Sequence, residues 1–559
     1  MFDAIKISAN RFRRDDDGAL LIFGLVLFVL MLMMGGFAVD LMRYENTRTK
    51  LQNTLDRSTL AAAALSQQLD REAVVRDYMQ KAGIADQLRS VTVTTSLNSA
   101  VVNAVGRADT NPFFLHMLGI DRFDAVGRSQ AEQAISNLEI VLVLDVSGSM
   151  SGTKIANLKI AANQFVDTML ENDPNDRVSI TIVPYNAQVN IGPDLVQAFN
   201  ITHNNNLGNA NCVEIAPSDF NSLALSQTDE LPMMAYADIA TNTNRINGFV
   251  APNDSSYAVP TYGSAFCRRV DANIIRLPNN DAAVLKSQIS AMQAGGNTSI
   301  TLGMKWGATM LDPSMRPVYT QFIGEGKIPG NMAARPFAYD DPDNMKIIIL
   351  MTDGEHVSHT RVTDPFKSGL SPIYRSTADG GYSVFHAARV NPATATTLCD
   401  SRPFYLPSLN VWQSRPWNGT APRATDCYVA GNTVNAAQQD WRNIWASMKM
   451  TYVAWQFYAR ALGTDSSTRT SVYNSMVAAM RDTWASVPQM DASLDQTCDL
   501  VKAQGVIVYG ITVDAPTNGQ QVVASCATSP VHYFEATPER VADTFATIAS
   551  NITMLKLTQ

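Results

Sequence analysis

From Ala19 to Val39 the chain runs 21 residues without a charge, and no other feature limits its folding as much. A helix of that length covers the roughly 30 Å of a bilayer's hydrocarbon core. The stretch Leu20-Leu-Ile-Phe-Gly-Leu-Val-Leu-Phe-Val-Leu-Met-Leu-Met-Met34 is apolar on every side, whereas a helix on a soluble core keeps a polar stripe. A cleaved secretory signal has a shorter apolar run and a small-residue cleavage site; this one continues into Gly35-Gly36-Phe37-Ala38-Val39-Asp40. The expectation is an uncleaved single-pass anchor over 19–39, with residues 1–18 in the cytoplasm.

Basic residues do not set the orientation, because Lys6, Arg11, Arg13 and Arg14 before the span are nearly matched by Arg43, Arg48 and Lys50 after it. The cysteines do. Cys212, Cys267, Cys399, Cys427, Cys498 and Cys526 all follow the anchor, with no Cys-x-x-Cys pair among them, which favours disulfides in an oxidising compartment. The C-terminal part is therefore expected in the periplasm. Chain order suggests 212–267, 399–427 and 498–526, one of about fifteen connectivities that six cysteines permit.

At 559 residues the chain needs more than one domain. A net charge of -8 argues against a nucleic-acid surface, which needs a basic patch. After the span, Leu51, Leu55, Ala62, Leu65 and Leu69 recur at helical intervals, so the helix is expected to continue out of the membrane. The alternating Ser90–Thr95 and the run Ala100–Val105, separated by Leu97-Asn98-Ser99, predict a hairpin. Residues 40–136 thus read as a helical stalk with a small α+β module.

A larger domain is expected over 137–555. Ile140–Leu144, Val178–Val183, Ile347–Met351 and Val506–Val513 have the length and branching of buried strands, and they alternate with amphipathic segments such as Ile155, Leu158, Ala162, Phe165 and Met169. That alternation predicts an α/β fold with a doubly wound, mostly parallel sheet. Thr537 and Pro538 are expected to open the last helix as cap and first residue. Two stretches rich in Asn, Pro, Ser and Thr, at about 187–280 and 357–497, fall outside the alternation and read as insertions, with some helix around 437–462.

The first strand ends in Asp145-Val146-Ser147-Gly148-Ser149, which places a carboxylate and two hydroxyls at a strand's C-terminal tip, where open α/β sheets bind ligands. The strand ending in Thr352-Asp353-Gly354 supplies a second carboxylate, and Gly295-Gly296-Asn297-Thr298-Ser299 supplies a tight turn with a hydroxyl. Asp145, Ser147, Ser149, Thr298 and Asp353 offer only oxygen, a hard set that suits Mg²⁺, with Mn²⁺ or Ca²⁺ as alternatives and water completing the shell. No His-Glu-x-x-His, phosphate-loop or Gly-x-Ser-x-Gly pattern occurs, and His356 and His359 are expected in a solvated loop.

Leu144-Asp145-Val146-Ser147-Gly148-Ser149-Met150, the Gly-Gly-Asn-Thr segment and Met351-Thr352-Asp353-Gly354 resemble the three ion-site motifs of von Willebrand factor A domains. The resemblance implies that Ser147, Ser149 and Thr298 coordinate the ion directly. Asp145 and Asp353 would act through water, and a partner's carboxylate would take the open position. Asn297 stands between the glycine pair and Thr298, where many members have Thr directly, so Ser299 is an alternative to Thr298. Arg11-Phe12-Arg13-Arg14, Gly18, the span ending in Ala38-Val39-Asp40, and Leu51-Gln52-Asn53-Thr54-Leu55-Asp56 resemble the TadE/TadG-like segment of the tight-adherence (Flp) pilus machinery. TadG-like proteins join these two parts in this order. Prepilin-type members carry Glu at the fifth position after the cleaved glycine, whereas Gly18 is followed by Ala19–Phe23. Together these features imply a non-enzymatic pilus-assembly or stabilising component that binds an acidic residue of another pilus component. The alternative is a surface adhesin for host or matrix protein using the same site.

Overall fold

The computed structural model describes residues 17–558 apart from 65–68, 96–98, 135–136, 172, 174–175, 240–244, 261–264, 342 and 392–397. Two compact units result, residues 1–136 with 554–559, and residues 137–553.

In the first unit a single helix α1 (Asp17–Ala63) carries the apolar span. Its large side chains from Leu20 to Met34 are all exposed, as a helix surrounded by lipid requires. Beyond Asp40 one face becomes buried, and Leu51, Leu55 and Ala62 enter a small core. A short helix α2 (Arg71–Lys81) is capped by Asp70, whose carboxylate accepts the Ala73 N–H at 2.7 Å. An antiparallel sheet of β1 (Leu88–Thr95), β2 (Ser99–Thr110) and β3 (Phe123–Ala134) follows. Gly106 and Gly127 pair across β2 and β3, and a side chain at either would collide with Leu51 or Leu55. This glycine pair lets α1 lie directly on the sheet. The predicted hairpin is present as β1 and β2, with Leu97 and Asn98 outside the described residues, and β3 adds a strand that the alternation did not suggest. The helix ends at Ala63, so Leu69 lies beyond it; Leu65 is outside the described residues.

The second unit is built on β4 (Asn137–Asp145), α3 (Thr153–Glu171), β5 (Val178–Tyr185), the short parallel pair β6 (Asn200–Thr202) and β7 (Glu230–Pro232), and β8 (Arg276–Asn279). α4 (Ala282–Ala291), α5 (Ile300–Leu311) and β9 (Asn344–Thr352) come next. β10 (His359–Val362), β11 (Leu370–Ser376), β12 (Tyr382–Phe385), β13 (Phe404–Leu406), β14 (Val411–Gln413) and β15 (Ala436–Asp440) occupy the second insertion, with α6 (Trp441–Ser447), α7 (Ser466–Met480) and β16 (Arg481–Ala485). α8 (Val487–Ala503), β17 (Ile507–Val513), α9 (Thr517–Cys526), β18 (Tyr533–Ala536) and the residues up to 553 of α10 (Val541–Thr558) complete it.

Six of these strands form a sheet in the order β18-β17-β9-β4-β5-β8, parallel except where β8 joins β5 antiparallel. β4 and β9 sit in its middle and are buried from Leu138 and Met345 to their ends. Every residue of α5 is buried, and its Gly303 and Gly307 admit Tyr185 and Val143, each within 2.6 Å of where a Cβ would stand. Among the described residues the other sheets are antiparallel apart from the β6–β7 pair, so the architecture as a whole is mixed α/β. β8 falls inside the stretch expected to be the first insertion, and α8 begins inside the second.

The insertions are more ordered than their composition suggested. β14-β13-β12-β11-β15 form a five-stranded antiparallel sheet. Cys212, Met234, Tyr236 and Phe266 of the first insertion share one core with Trp441, Trp445, Tyr452 and Phe457 of the second. Tyr452 Oη donates to the Val250 carbonyl at 2.8 Å, and Trp455 Nε1 to that of Ile246 at 2.8 Å. The expected helix appears at 441–447 and 450–462. The three disulfides are 212–267, 399–427 and 498–526, the last tying α8 to α9. Pro538 opens a short 3₁₀ turn ahead of α10, but the Thr537 side chain makes no capping bond.

Candidate ion and partner site

β4 and β9 run side by side and end together, so Asp145 and Asp353 emerge at one edge of the sheet. The Asp145 Oδ1 accepts the Ser147 N–H at 2.7 Å, which turns the chain sharply as the strand ends. Its Oδ2 accepts the Thr352 hydroxyl at 2.7 Å. Ser149 Oγ donates to Asp353 Oδ1 at 2.7 Å, and Ser147 Oγ lies 3.0 Å from Ser149 Oγ and 3.5 Å from the same carboxylate oxygen.

The third loop locks onto the first through backbone. Gly148 N donates to the Gly296 carbonyl at 2.8 Å, and Gly295 N to that of Val146 at 2.8 Å. Gly295 (φ +152°) and Gly296 (φ +91°) hold conformations that L side chains avoid, and a Cβ at 295 would overlap the Arg268 guanidinium. Thr298 is buried against Gly354, its Oγ1 3.3 Å from where a Cβ would stand, and its carbonyl accepts the Val357 N–H at 3.0 Å. Ser299 faces elsewhere. It lines an apolar cavity of about 210 Å³ with Ile215, Phe220, Leu302 and Trp484, and its Oγ has no hydrogen-bond partner among the described residues.

All five residues expected to hold an ion thus lie on three adjoining loops: Asp145, Ser147, Ser149 and Asp353 through direct side-chain bonds, Thr298 through packing on Gly354. Burial, then the charge of Asp353, push the Asp145 carboxyl up to about 6, against hydrogen bonds from Ser147 and Thr352 that favour its ionised form. Two facing carboxylates in a buried setting call for positive charge. The chain supplies one cation itself: Lys154, in the first turn of α3, places Nζ 2.8 Å from Asp353 Oδ2. Among the described residues, no three or more His, Cys, Asp or Glu side chains come together so as to hold a metal ion by themselves. With two carboxylates and neighbouring hydroxyls, this site fits a hard, oxygen-seeking cation.

Sequence reasoning missed Lys154 and Thr352. Both stand in plain view, Thr352 beside Asp353 and Lys154 five residues beyond Ser149, but only the fold shows that they reach the carboxylates. The two histidines prove buried, not solvated. His356 Nε2 accepts the Thr301 N–H at 2.9 Å while Nδ1 lies 2.6 Å from Asp491, and His359 pairs with Gln188. Burial lowers both, His359 to about 4, so they fasten the loop after β9 as neutral rings. A cleft of about 310 Å³ opens beside the ion-site loops, lined by Asn186, Gly296, Asn297, Val357 and Arg481 among others.

Residues 18–65 match a family model described as putative Flp pilus-assembly TadE/G-like. No curated protein matches the chain. Among solved structures, the von Willebrand factor domain of the type V pili tip protein Mfa5 from Porphyromonas gingivalis is similar at 14% identity and a TM-score of 0.31, over 76% of this chain and 98% of that one. The adhesive tip pilin GBS104 from Group B Streptococcus agalactiae is similar at 12% identity and a TM-score of 0.27, over 74% and 99%. The pilus adhesin SpaC from Lactobacillus rhamnosus GG is similar at 12% and 0.28, over 83% of this chain and 34% of SpaC.

Proposed function

We propose that this chain is a non-enzymatic, membrane-anchored component of Flp pilus assembly or stabilisation, which holds a partner protein through a metal-ion-dependent adhesion site on a doubly wound, von Willebrand A-like unit. The 2.7 Å bond between Ser149 Oγ and Asp353 Oδ1 carries the reading of the site, because it joins residues 204 positions apart at the tips of two parallel strands. Asp145, Ser147, Ser149, Thr298 and Asp353 would hold Mg²⁺, or Mn²⁺ or Ca²⁺ in its place, which would supply a centre that accepts an acidic side chain of the partner. The TadE/G-like match over 18–65 supports the pilus assignment, and the exposed apolar helix supports a single-pass anchor. Three disulfides favour an oxidising compartment for the large unit, hence an inner-membrane protein with its C-terminal part in the periplasm.

Crosslinking in intact cells, with and without a chelator, tests this directly. Pilus components captured from untreated cells and lost on chelation are the expected result. Capture that the chelator leaves unchanged refutes the ion-dependent mechanism, and capture of host or matrix protein alone favours an outward-facing adhesin.

A further inference from the structure

We propose that the loop between β2 and β3 is a second membrane contact, dipping into the lipid interface beside α1, so that the small α+β module rests on the bilayer instead of standing off it. Five large apolar side chains in this loop are exposed: Phe113 at 69%, Phe114 at 43%, Met117 at 84%, Leu118 at 57% and Ile120 at 40%. Soluble surfaces seldom gather apolar residues so densely, and when they do the patch is covered by something.

The position of the loop along α1 identifies what covers it. Asp40, the first charged residue after the span, accepts the backbone N–H groups of Phe113, Phe114 and Leu115 at 2.8, 2.8 and 2.9 Å. The Phe114 ring packs where Gly36 has no side chain; any Cβ there would collide with it. Gly36 precedes Asp40 by four residues, about 6 Å of helix rise toward the membrane interior. The ring therefore lies within the apolar part of α1, at a depth where that helix is itself exposed on all its large side chains. A cationic group sits where headgroups would be: the Arg43 guanidinium, three residues beyond Asp40 on α1, is stacked 4.2 Å from the Phe113 ring centroid. Apolar side chains dipped inward with a cationic group at the rim are what an interfacial segment requires. Because three backbone bonds to one buried carboxylate hold the loop, it meets the bilayer already ordered.

All six cysteines are in disulfides, so a new thiol can be labelled selectively. Met117→Cys and, separately, Leu118→Cys in the full chain, labelled with nitrobenzoxadiazole, are reconstituted in phosphatidylethanolamine–phosphatidylglycerol vesicles carrying nitroxides on the acyl chain near the headgroup. Val126→Cys serves as the reference: it adjoins Gly127, which packs on Leu51, eleven residues and so about 16 Å of helix beyond Asp40. The expected result is blue-shifted emission and several-fold stronger quenching at 117 and 118 than at 126. Quenching no stronger than at 126 overturns the proposal. So does blue-shifted emission that the lipid nitroxides leave unquenched, which would mean that protein, a second copy or another chain, covers the loop.

Discussion

Asp40 and Asp145 are each almost wholly buried, and each ends an apolar run that the sequence announces clearly, yet their surroundings differ in kind. Asp40 is answered by three backbone N–H groups from one short loop, which orient their dipoles at the charge and leave it little need for an ion. Asp145 receives one backbone N–H and one hydroxyl, and a second carboxylate faces it across two serines. The first carboxylate is spent on holding a loop; the second keeps unmet demand for positive charge. A buried acid is a candidate site when its neighbours fall short of neutralising it, and a structural clamp when they do not.

The largest effect that would sharpen this contrast is Asp145→Ala. Mn²⁺ binding followed by electron paramagnetic resonance should fall by roughly 10–100-fold, as losing an outer-shell partner of a metal costs. The fold should be retained, since relief of repulsion from Asp353 offsets part of the cost of leaving the Ser147 N–H and the Thr352 hydroxyl without their acceptor. Undiminished Mn²⁺ binding would place the ion elsewhere. Asp40→Ala should do the reverse: ion binding unchanged, but the first unit destabilised as three hydrogen bonds to a charged group are lost. Hydrogen exchange at the Phe113, Phe114 and Leu115 amides reports this, and unaltered protection would show that the carboxylate is not the clamp.

How far these two sites were legible follows from where their partners lie along the chain. The Asp145 triplet, the glycine pair and Asp353 each carry a local signature, a strand run or a turn residue, and parallel pairing of two such strands brings their tips together. Asp40 has no such signature, because its partners stand 73 to 75 residues away in a loop whose composition looks like core. The insertions were opaque for the same reason. β11 and β15 pair across about sixty residues, and the shared core draws on both insertions, so no local period reports it. Composition exposed the cysteines but left their pairing to chain order. Lys154 was visible as a residue and not as a contact.

That contact supplies the next test. Lys154 and a divalent ion would neutralise the same carboxylate, and the lysine, partly exposed, holds Asp353 Oδ2 at 2.8 Å. Lys154→Met should therefore tighten Mn²⁺ binding by about tenfold, equivalent to about 1.4 kcal/mol, at low salt. Weaker binding in this variant would mean that the ammonium orients Asp353 for the ion instead of competing with it.

The smallest effect concerns the choice between adjacent hydroxyls. Ser299 is buried with no partner for its Oγ among the described residues, and it lines an apolar cavity rather than the loops around Asp353. Removing an unsatisfied hydroxyl recovers desolvation energy and forfeits no bond, so Ser299→Ala should change stability by less than about 1 kcal/mol, in the stabilising direction, with Mn²⁺ affinity unaltered. Thr298→Val keeps the packing on Gly354 but removes the oxygen, and should weaken Mn²⁺ binding while the fold holds. If the two results exchange places, the third loop presents Ser299 to the ion. The one-residue register imposed by Asn297 would then have moved the ligand along the chain.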